Sequence, residues 1–463
     1  MLLNKNFITT YKIPLLLVLA SMLFYWSFAY NLVRTDYIKL VTLYSALFYL
    51  FYKIVNIFKH NTKALTVFAF SFRALFILAI PNLSQDFYRF IWDGRMLFQG
   101  YNPYLNTVEY FIQNNQFPVA QAQELREGMG GLNASHFTNY PPINQLCFVI
   151  AALFANKSIL GSVVVLRILI IIADFGTLHF GKKLLAKLNL PEYNIFWFIL
   201  NPFIIIELTG NLHFEGVMIC FLVWSLYLLY SKKWILAAII FACSIATKLI
   251  PLLFLPLFFQ WFVNNKSSNK SLILKLLKLT AFYSIVLATT VLLFVPFYSS
   301  EFINNYSKTV ALWFSNFEFN ASLYYVAREI GYAFRGYNEI AIIGKVSSLL
   351  VVIFVLIITF FRKNKTFVQL ISAMLIALSF YYFTATTVHP WYLAMLLILS
   401  VFTKYKFPLV WSFVIILSYL AYLNLNSMVK SENLWVIALE YIIVFSVFLF
   451  EIFKKKPIEH QLL

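Results

Sequence analysis

Charge is scarce in this 463-residue chain: Asp, Glu, Lys and Arg make up 12% of it, about half the roughly 25% of an ordinary soluble domain. So little charge cannot cover the surface of soluble domains, which excludes the secreted, disordered and nucleic-acid-binding classes. Cysteine is equally sparse. Cys147, Cys220 and Cys243 lie in apolar stretches without CxxC spacing or neighbouring His, which excludes a zinc site of that type and reads as buried free thiols. No Gly-rich phosphate loop is present, so no soluble-nucleotide site is visible. No small-residue cleavage site follows the apolar run 13–29 behind Lys5 and Lys12, so that run reads as a retained first helix. Heptads, short repeats and inverted repeats are missing as well, and the last of these absences counts against a secondary transporter.

What fills the space is apolar. Hydrophobic residues reach 62%, aromatics 19%, with 51 Phe, and the mean hydropathy is +0.79. Only a bilayer solvates helices that are apolar on every side, so the chain reads as an all-α polytopic membrane protein, one integral-membrane domain over 1–463. Runs of spanning or near-spanning length occur at 13–31, 38–58, 64–82, 159–180, 194–209, 216–230, 234–247, 249–263, 279–298, 340–361, 367–386, 390–403, 407–424 and 434–453. They predict about 13–14 transmembrane helices, several of them short. The stretch 143–155, about 13 residues long after the breaker Tyr140-Pro141-Pro142, is too short to span and reads as a re-entrant or interfacial helix.

The net charge of +18 is the signature of cytoplasmic loops that retain cations. Lys59 to Lys63, Lys182/Lys183/Lys187, Lys232/Lys233, Lys266 to Lys278, Arg362/Lys363/Lys365, Lys404/Lys406 and Lys454 to Lys456 all fall on one side by parity, as do both termini and the tail 454–463. Of the eighteen acids, only Asp174, Glu192, Glu440, Glu451 and Glu459 fall away from the opposite, outer side. Polar chemistry therefore gathers in two long outer loops, about 83–142 and 299–339, and loops of that length usually carry function.

The first loop opens with Ser84-Gln-Asp86-Phe-Tyr88-Arg89 and continues through Trp92-Asp93-Gly94-Arg95. Asp86 and Asp93, two helical turns apart, are predicted to share one helix face. A carboxylate there could take a proton from a substrate hydroxyl and an arginine could grip phosphate, although salt-bridged acids on an amphipathic helix give the same pattern. A second cluster, Glu207, Asn211, His213 and Glu215, lies at a tight turn and could bind sugar hydroxyls, cap a helix, or hold zinc, though its spacing matches no HExxH-type site. Lys248 and His389 sit in outer turns, where each could meet phosphate or simply face the headgroups. Glu318, among the aromatics of the second loop, suits either a sugar site or an interfacial helix. Arg167 and Asp174, seven apart in one helix, are expected to make an intramembrane polar contact.

These segments also resemble a known family. Asp86 after an early helix, Tyr88-Arg89, Trp92-Asp93-Gly94-Arg95, Gly100-Tyr-Asn102-Pro103-Tyr104 and Tyr140-Pro141-Pro142 are similar to the integral-membrane glycosyltransferases of the GT-C class. The closest likeness is to bacterial polyprenyl-phosphate-mannose-type mannosyltransferases, with a more distant one to GPI mannosyltransferase I. Asn201-Pro202 with Glu207, Gly210-Asn211, His213 and Glu215, then Lys248 to Pro251 and Pro256, then His389-Pro390-Trp391-Tyr392 extend it over about 84–392.

The resemblance implies transfer of a sugar, mannose by family, from a polyprenyl-phosphate donor to a glycan or lipid acceptor. The reaction would invert the sugar on the periplasmic face of the bacterial cytoplasmic membrane, among membrane lipids and without nucleic acid. It implies Asp86 as the base, with Asp93 as rival. Arg89, Arg95, Lys248 and His389 would face the phosphate, and Tyr88, Tyr140, Glu207, Asn211, His213, Glu215 and Glu318 would bind substrate. Where the GPI enzyme has Asp-x-Asp, this chain has Ser84-Gln85-Asp86, so no cofactor is assigned and use of a divalent metal stays open. The alternative is a transporter or flippase for lipid-linked sugars. It would place ionisable residues at mid-membrane in broken helices, whereas here they collect in outer loops.

Overall fold

The computed structural model describes residues 5–263, 271–315, 317–422 and 432–454, with side chains described from residue 12 onward and not for 313–315. The basic linker at 264–270, with Lys266, and the tail from Lys455, with Lys456, Glu459 and His460, lie outside the described residues. Among the described residues the secondary structure is helical apart from one isolated β-bridge between Phe319 and Thr387. The all-α polytopic expectation holds.

Among the described residues, fewer helices reach full spanning length than there are hydropathy runs, in keeping with several of the predicted spans being short. Seven helices among the described residues are long and apolar enough to cross a bilayer: Lys12–Asn31, Tyr37–Phe58, Ile159–Lys187, Leu272–Phe297, Ile340–Phe361, Phe367–Thr384 and Leu434–Phe453. An eighth is broken, with Glu192–Ile199 and Pro202–Gly210 meeting at 51°. The remaining apolar helices, including Glu215–Tyr230, Trp234–Ile245 and Pro142–Ala155, have 10–17 residues, about 15–26 Å of rise against a core of about 30 Å. The run 64–82 is helical only over Thr62–Ala74. The run 249–263 breaks into a 3-10 turn at Ile250–Phe254, where Pro251 sits in the first turn, and a short helix at Phe258–Val263. Hydropathy alone does not register these breaks.

Burial separates the outer helices from the central ones. Only 17% of the apolar window of Ile340–Phe361 is buried, against 72% for Phe367–Thr384. The first therefore presents its Leu, Ile and Val to lipid, while the second is packed on nearly all sides.

The broken span shows how a polar interior is tolerated. A break in a helix frees backbone carbonyls that hydrocarbon cannot solvate. Arg73 donates to Ile199 O at 2.8 Å, at the break, and Arg167 donates to Thr209 O at 2.8 Å and Gly210 O at 3.0 Å, at its far end. Asp174 neutralises Arg73 at 2.7 Å with both side chains fully buried. Arg167 and Asp174 thus each make the expected intramembrane contact, but with other partners: Asp174 reaches Arg73, and Arg167 reaches carbonyls.

One glycine sets the approach of two helices. A Cβ on Gly94 would lie 2.1 Å from the Phe148 carbonyl oxygen. Helix Asp86–Phe98 therefore touches helix Pro142–Ala155 backbone to backbone, and Phe90 stacks on Phe148 with centroids 4.7 Å apart. The short helix after Pro141-Pro142 thus buttresses the first loop from within.

Candidate active site

The two long loops and the four turns that carry Arg34, Glu215, Lys248 and His389 converge on one cavity of about 840 Å³. Asp86, Arg89, Tyr140, Glu215, Lys248, Glu318 and His389 line it, as do Arg34, His136, Trp391 and Tyr422. Part of its wall is apolar, built by Leu249, Ile250, Leu253, Val310, Leu312 and Val351.

Asp86 opens helix Asp86–Phe98 in its first turn, and its amide donates to Ser84 Oγ at 3.3 Å. A carboxylate at a helix N-terminus is favoured by the exposed N–H groups there. Asp93 lies two turns further along, about 10 Å by helical rise, and there the helix has left the cavity. It is fully buried, accepting from Arg89 Nε at 2.8 Å and Gln145 Nε2 at 3.1 Å. Both acids fall on one helical stripe, but only Asp86 is among the cavity's lining residues.

Arg89 also donates to the carbonyls of Asn133 at 3.1 Å and His136 at 3.0 Å, tying this helix to the end of helix Ala122–Ala134. Arg95 is off the cavity, donating to Ala120 O at 2.5 Å and Gln121 Oε1 at 3.2 Å. Burial lowers its pKa to about 10, so it stays a cation at neutral pH. Tyr88 packs its ring over Gly128, where a Cβ would lie 2.5 Å from it. Burial raises its pKa, and it too is absent from the lining.

The second cluster divides. Glu215 lines the cavity and pairs with Lys248 at 2.5 Å. Glu207, Asn211 and His213 are buried behind it. Glu207 accepts from Tyr419 Oη at 2.7 Å and lies 3.7 Å from His213 Nε2. Asn211 accepts the amide of Leu83 at 3.0 Å and donates to Ile206 O at 3.1 Å. His213 stacks on Trp391 at 3.8 Å, and Trp391 stacks on His389 at 4.6 Å. These three residues therefore support the wall and do not line it. Among the described residues no group of three or more His, Cys, Asp or Glu is placed to hold a metal ion.

Glu318 receives Arg328 at 2.9 Å and Tyr324 Oη at 2.7 Å. Its neighbour Phe319 pairs through its backbone with the segment before His389: Phe319 N to Thr386 O at 3.1 Å and Val388 N to Phe319 O at 2.8 Å. The second loop and the His389 turn are thereby one wall. Arg34 and His136 are cavity residues that the sequence reading passes over. For Arg34 the signal was available, because the short turn between the first two helices falls by sequence parity on the same side as the two long loops.

The profile of the MptA_B family, described as alpha-(1->6)-mannopyranosyltransferase, N-terminal domain, matches residues 15–264. The chain belongs to this family. No curated protein matches it. The matched segment carries Arg34, Asp86, Arg89, His136, Tyr140, Glu215 and Lys248, while Glu318, His389, Trp391 and Tyr422 lie beyond it. The protein is thus an integral-membrane glycosyltransferase, mannosyltransferase-like and of the GT-C type, that transfers mannose from a sugar donor to an acceptor. Family membership favours the enzyme over the flippase alternative.

Proposed function

We propose that the mannosyl donor is a polyprenyl-phosphate mannose and that Asp86 is the general base of a single, inverting displacement. The observation that carries this is one cavity combining a carboxylate, cations and an apolar wall. The carboxylate suits an acceptor hydroxyl, Arg89, Lys248 and His389 suit a phosphate, and the wall from Leu249 to Leu253 with Val351 suits a lipid chain.

In the reaction, Asp86 takes the proton of the acceptor hydroxyl as its oxygen attacks the anomeric carbon. The bond from that carbon to the phosphate oxygen breaks, and polyprenyl phosphate leaves with the electron pair on the opposite face of the sugar. Cations held at the cavity stabilise the charge that grows on the leaving oxygen, an electrostatic effect worth most in a water-poor site. Asp93, neutralising Arg89 from behind, keeps that guanidinium in place. Lysine-rich loops on the other side support a cavity on the outer, periplasmic face, with both termini in the cytoplasm.

The donor class is tested by presenting membranes containing the enzyme with labelled polyprenyl-phosphate mannose or labelled GDP-mannose, and reading the anomeric configuration of the product by NMR. Transfer from the lipid donor alone, with the anomeric configuration reversed, is expected. Direct transfer from GDP-mannose in membranes free of lipid carrier, or retention of configuration, would overturn the proposal.

A further inference from the structure

The three arginine and lysine side chains lining the cavity are Arg34, Arg89 and Lys248. Two of them are already neutralised, Arg89 by Asp93 and Lys248 by Glu215. Arg34 has no carboxylate within ion-pair distance among the described residues. A half-buried guanidinium left without a counter-ion is costly unless a ligand supplies one.

Its setting is built. Arg34 donates Nη1 to Leu83 O at 3.0 Å, and its guanidinium carbon lies 4.2 Å from the Tyr422 ring centroid. Stacking occupies one face of the planar group and leaves its remaining N–H donors in the plane, the arrangement in which arginine grips a phosphate bidentately. Tyr422 in turn packs beside Phe319 at 5.9 Å, and Phe319 beside His389 at 5.1 Å. Arg34 thus ends a row of rings along the cavity, and its carbonyl partner Leu83 precedes Ser84-Gln85-Asp86 directly.

We propose that Arg34 binds the phosphate of the lipid-linked donor. This rests on the donor class proposed above. The turn between the first two helices then supplies a phosphate ligand from outside both long loops, and phosphate binding at Arg34 is coupled through Leu83 to the peptide that carries Asp86.

The test is calorimetric titration of the full-length detergent-solubilised enzyme with undecaprenyl phosphate and, separately, with the neutral alcohol undecaprenol. Wild type, Arg34→Gln and Arg34→Lys are compared. The wild type is expected to prefer the phosphate. In Arg34→Gln, affinity for the phosphate is expected to fall about tenfold to hundredfold, as for a lost charged hydrogen bond, with undecaprenol affinity within about twofold of wild type. Arg34→Lys should fall between.

A phosphate preference in the wild type that persists in Arg34→Gln overturns the role of Arg34 and leaves the donor class standing. Equal weakening for both ligands makes Arg34 structural and likewise overturns its role. A wild type without preference for the phosphate overturns the donor class itself. Should Arg34→Gln fail to fold, an unchanged preference in Arg34→Lys overturns the role of Arg34.

Discussion

Asn211 Oδ1 accepts the backbone N–H of Leu83 at 3.0 Å across 128 positions of chain. Leu83 stands three residues before Asp86, so the amide of Asn211 anchors the start of the peptide that carries the proposed base. Replacing Asn211 by Ala leaves a buried N–H unpaired, a loss of about 1–3 kcal/mol. Asn211→Ala should lower kcat about tenfold or more while the donor KM changes less, because the base shifts and the binding wall remains. Steady-state kinetics in membranes, with thermal unfolding of the purified protein alongside, checks this.

Asp93 and Asp86 should separate cleanly by phenotype. Asp93→Ala strips the counter-ion from Arg89, which is only 2% exposed, and a buried pair broken on one side costs about 3–5 kcal/mol. A loss near the lower end is expected, since two carbonyls still accept from Arg89. Reduced Tm and yield in Asp93→Ala, against a near-normal Tm in Asp86→Asn, is the outcome to look for by scanning fluorimetry.

Gly94→Ala should be disproportionately harmful for the addition of one carbon. The new Cβ would meet backbone, the Phe148 carbonyl oxygen at 2.1 Å, and not a movable side chain. Overpacking of this kind costs about 1–3 kcal/mol or more. Thermal unfolding measures the loss, and a Tm equal to wild type would mean that the two helices are not in contact as described.

Much of this was legible in the sequence. Asp86, Lys248 and His389 stand out because a polar residue beside a long apolar run is conspicuous and topology assigns its side. The separation of Asp93 from the cavity was not legible, since helical period places it on the stripe of Asp86, and what sets it apart is its burial between Arg89 and Gln145, a partner 52 residues away. The Arg73 partner of Asp174 lies 101 residues away, and no local pattern announces a contact at that range. Half-length helices such as Trp234–Ile245 deceived hydropathy for a related reason: it registers apolarity and not where a helix stops.

Glu432 gives a pH-dependence of known sign. It accepts from Asn320 N at 2.8 Å and from Tyr325 Oη, and burial raises its pKa above the usual carboxylate value despite those hydrogen bonds. The folded state therefore holds a proton that the unfolded chain releases at lower pH. Stability should decline as pH rises from the ordinary Glu range to the raised value. Glu432→Gln should flatten that slope, as read from Tm against pH in detergent.

The most direct test of the central claim is incorporation of label from radiolabelled polyprenyl-phosphate mannose in membranes bearing wild type or Asp86→Asn at matched protein levels. Removing a general base should cut incorporation about a hundredfold or more, with Asp86→Asn still folded and still binding polyprenyl phosphate. Incorporation by Asp86→Asn within a few-fold of wild type would contradict the assignment of Asp86 as the base.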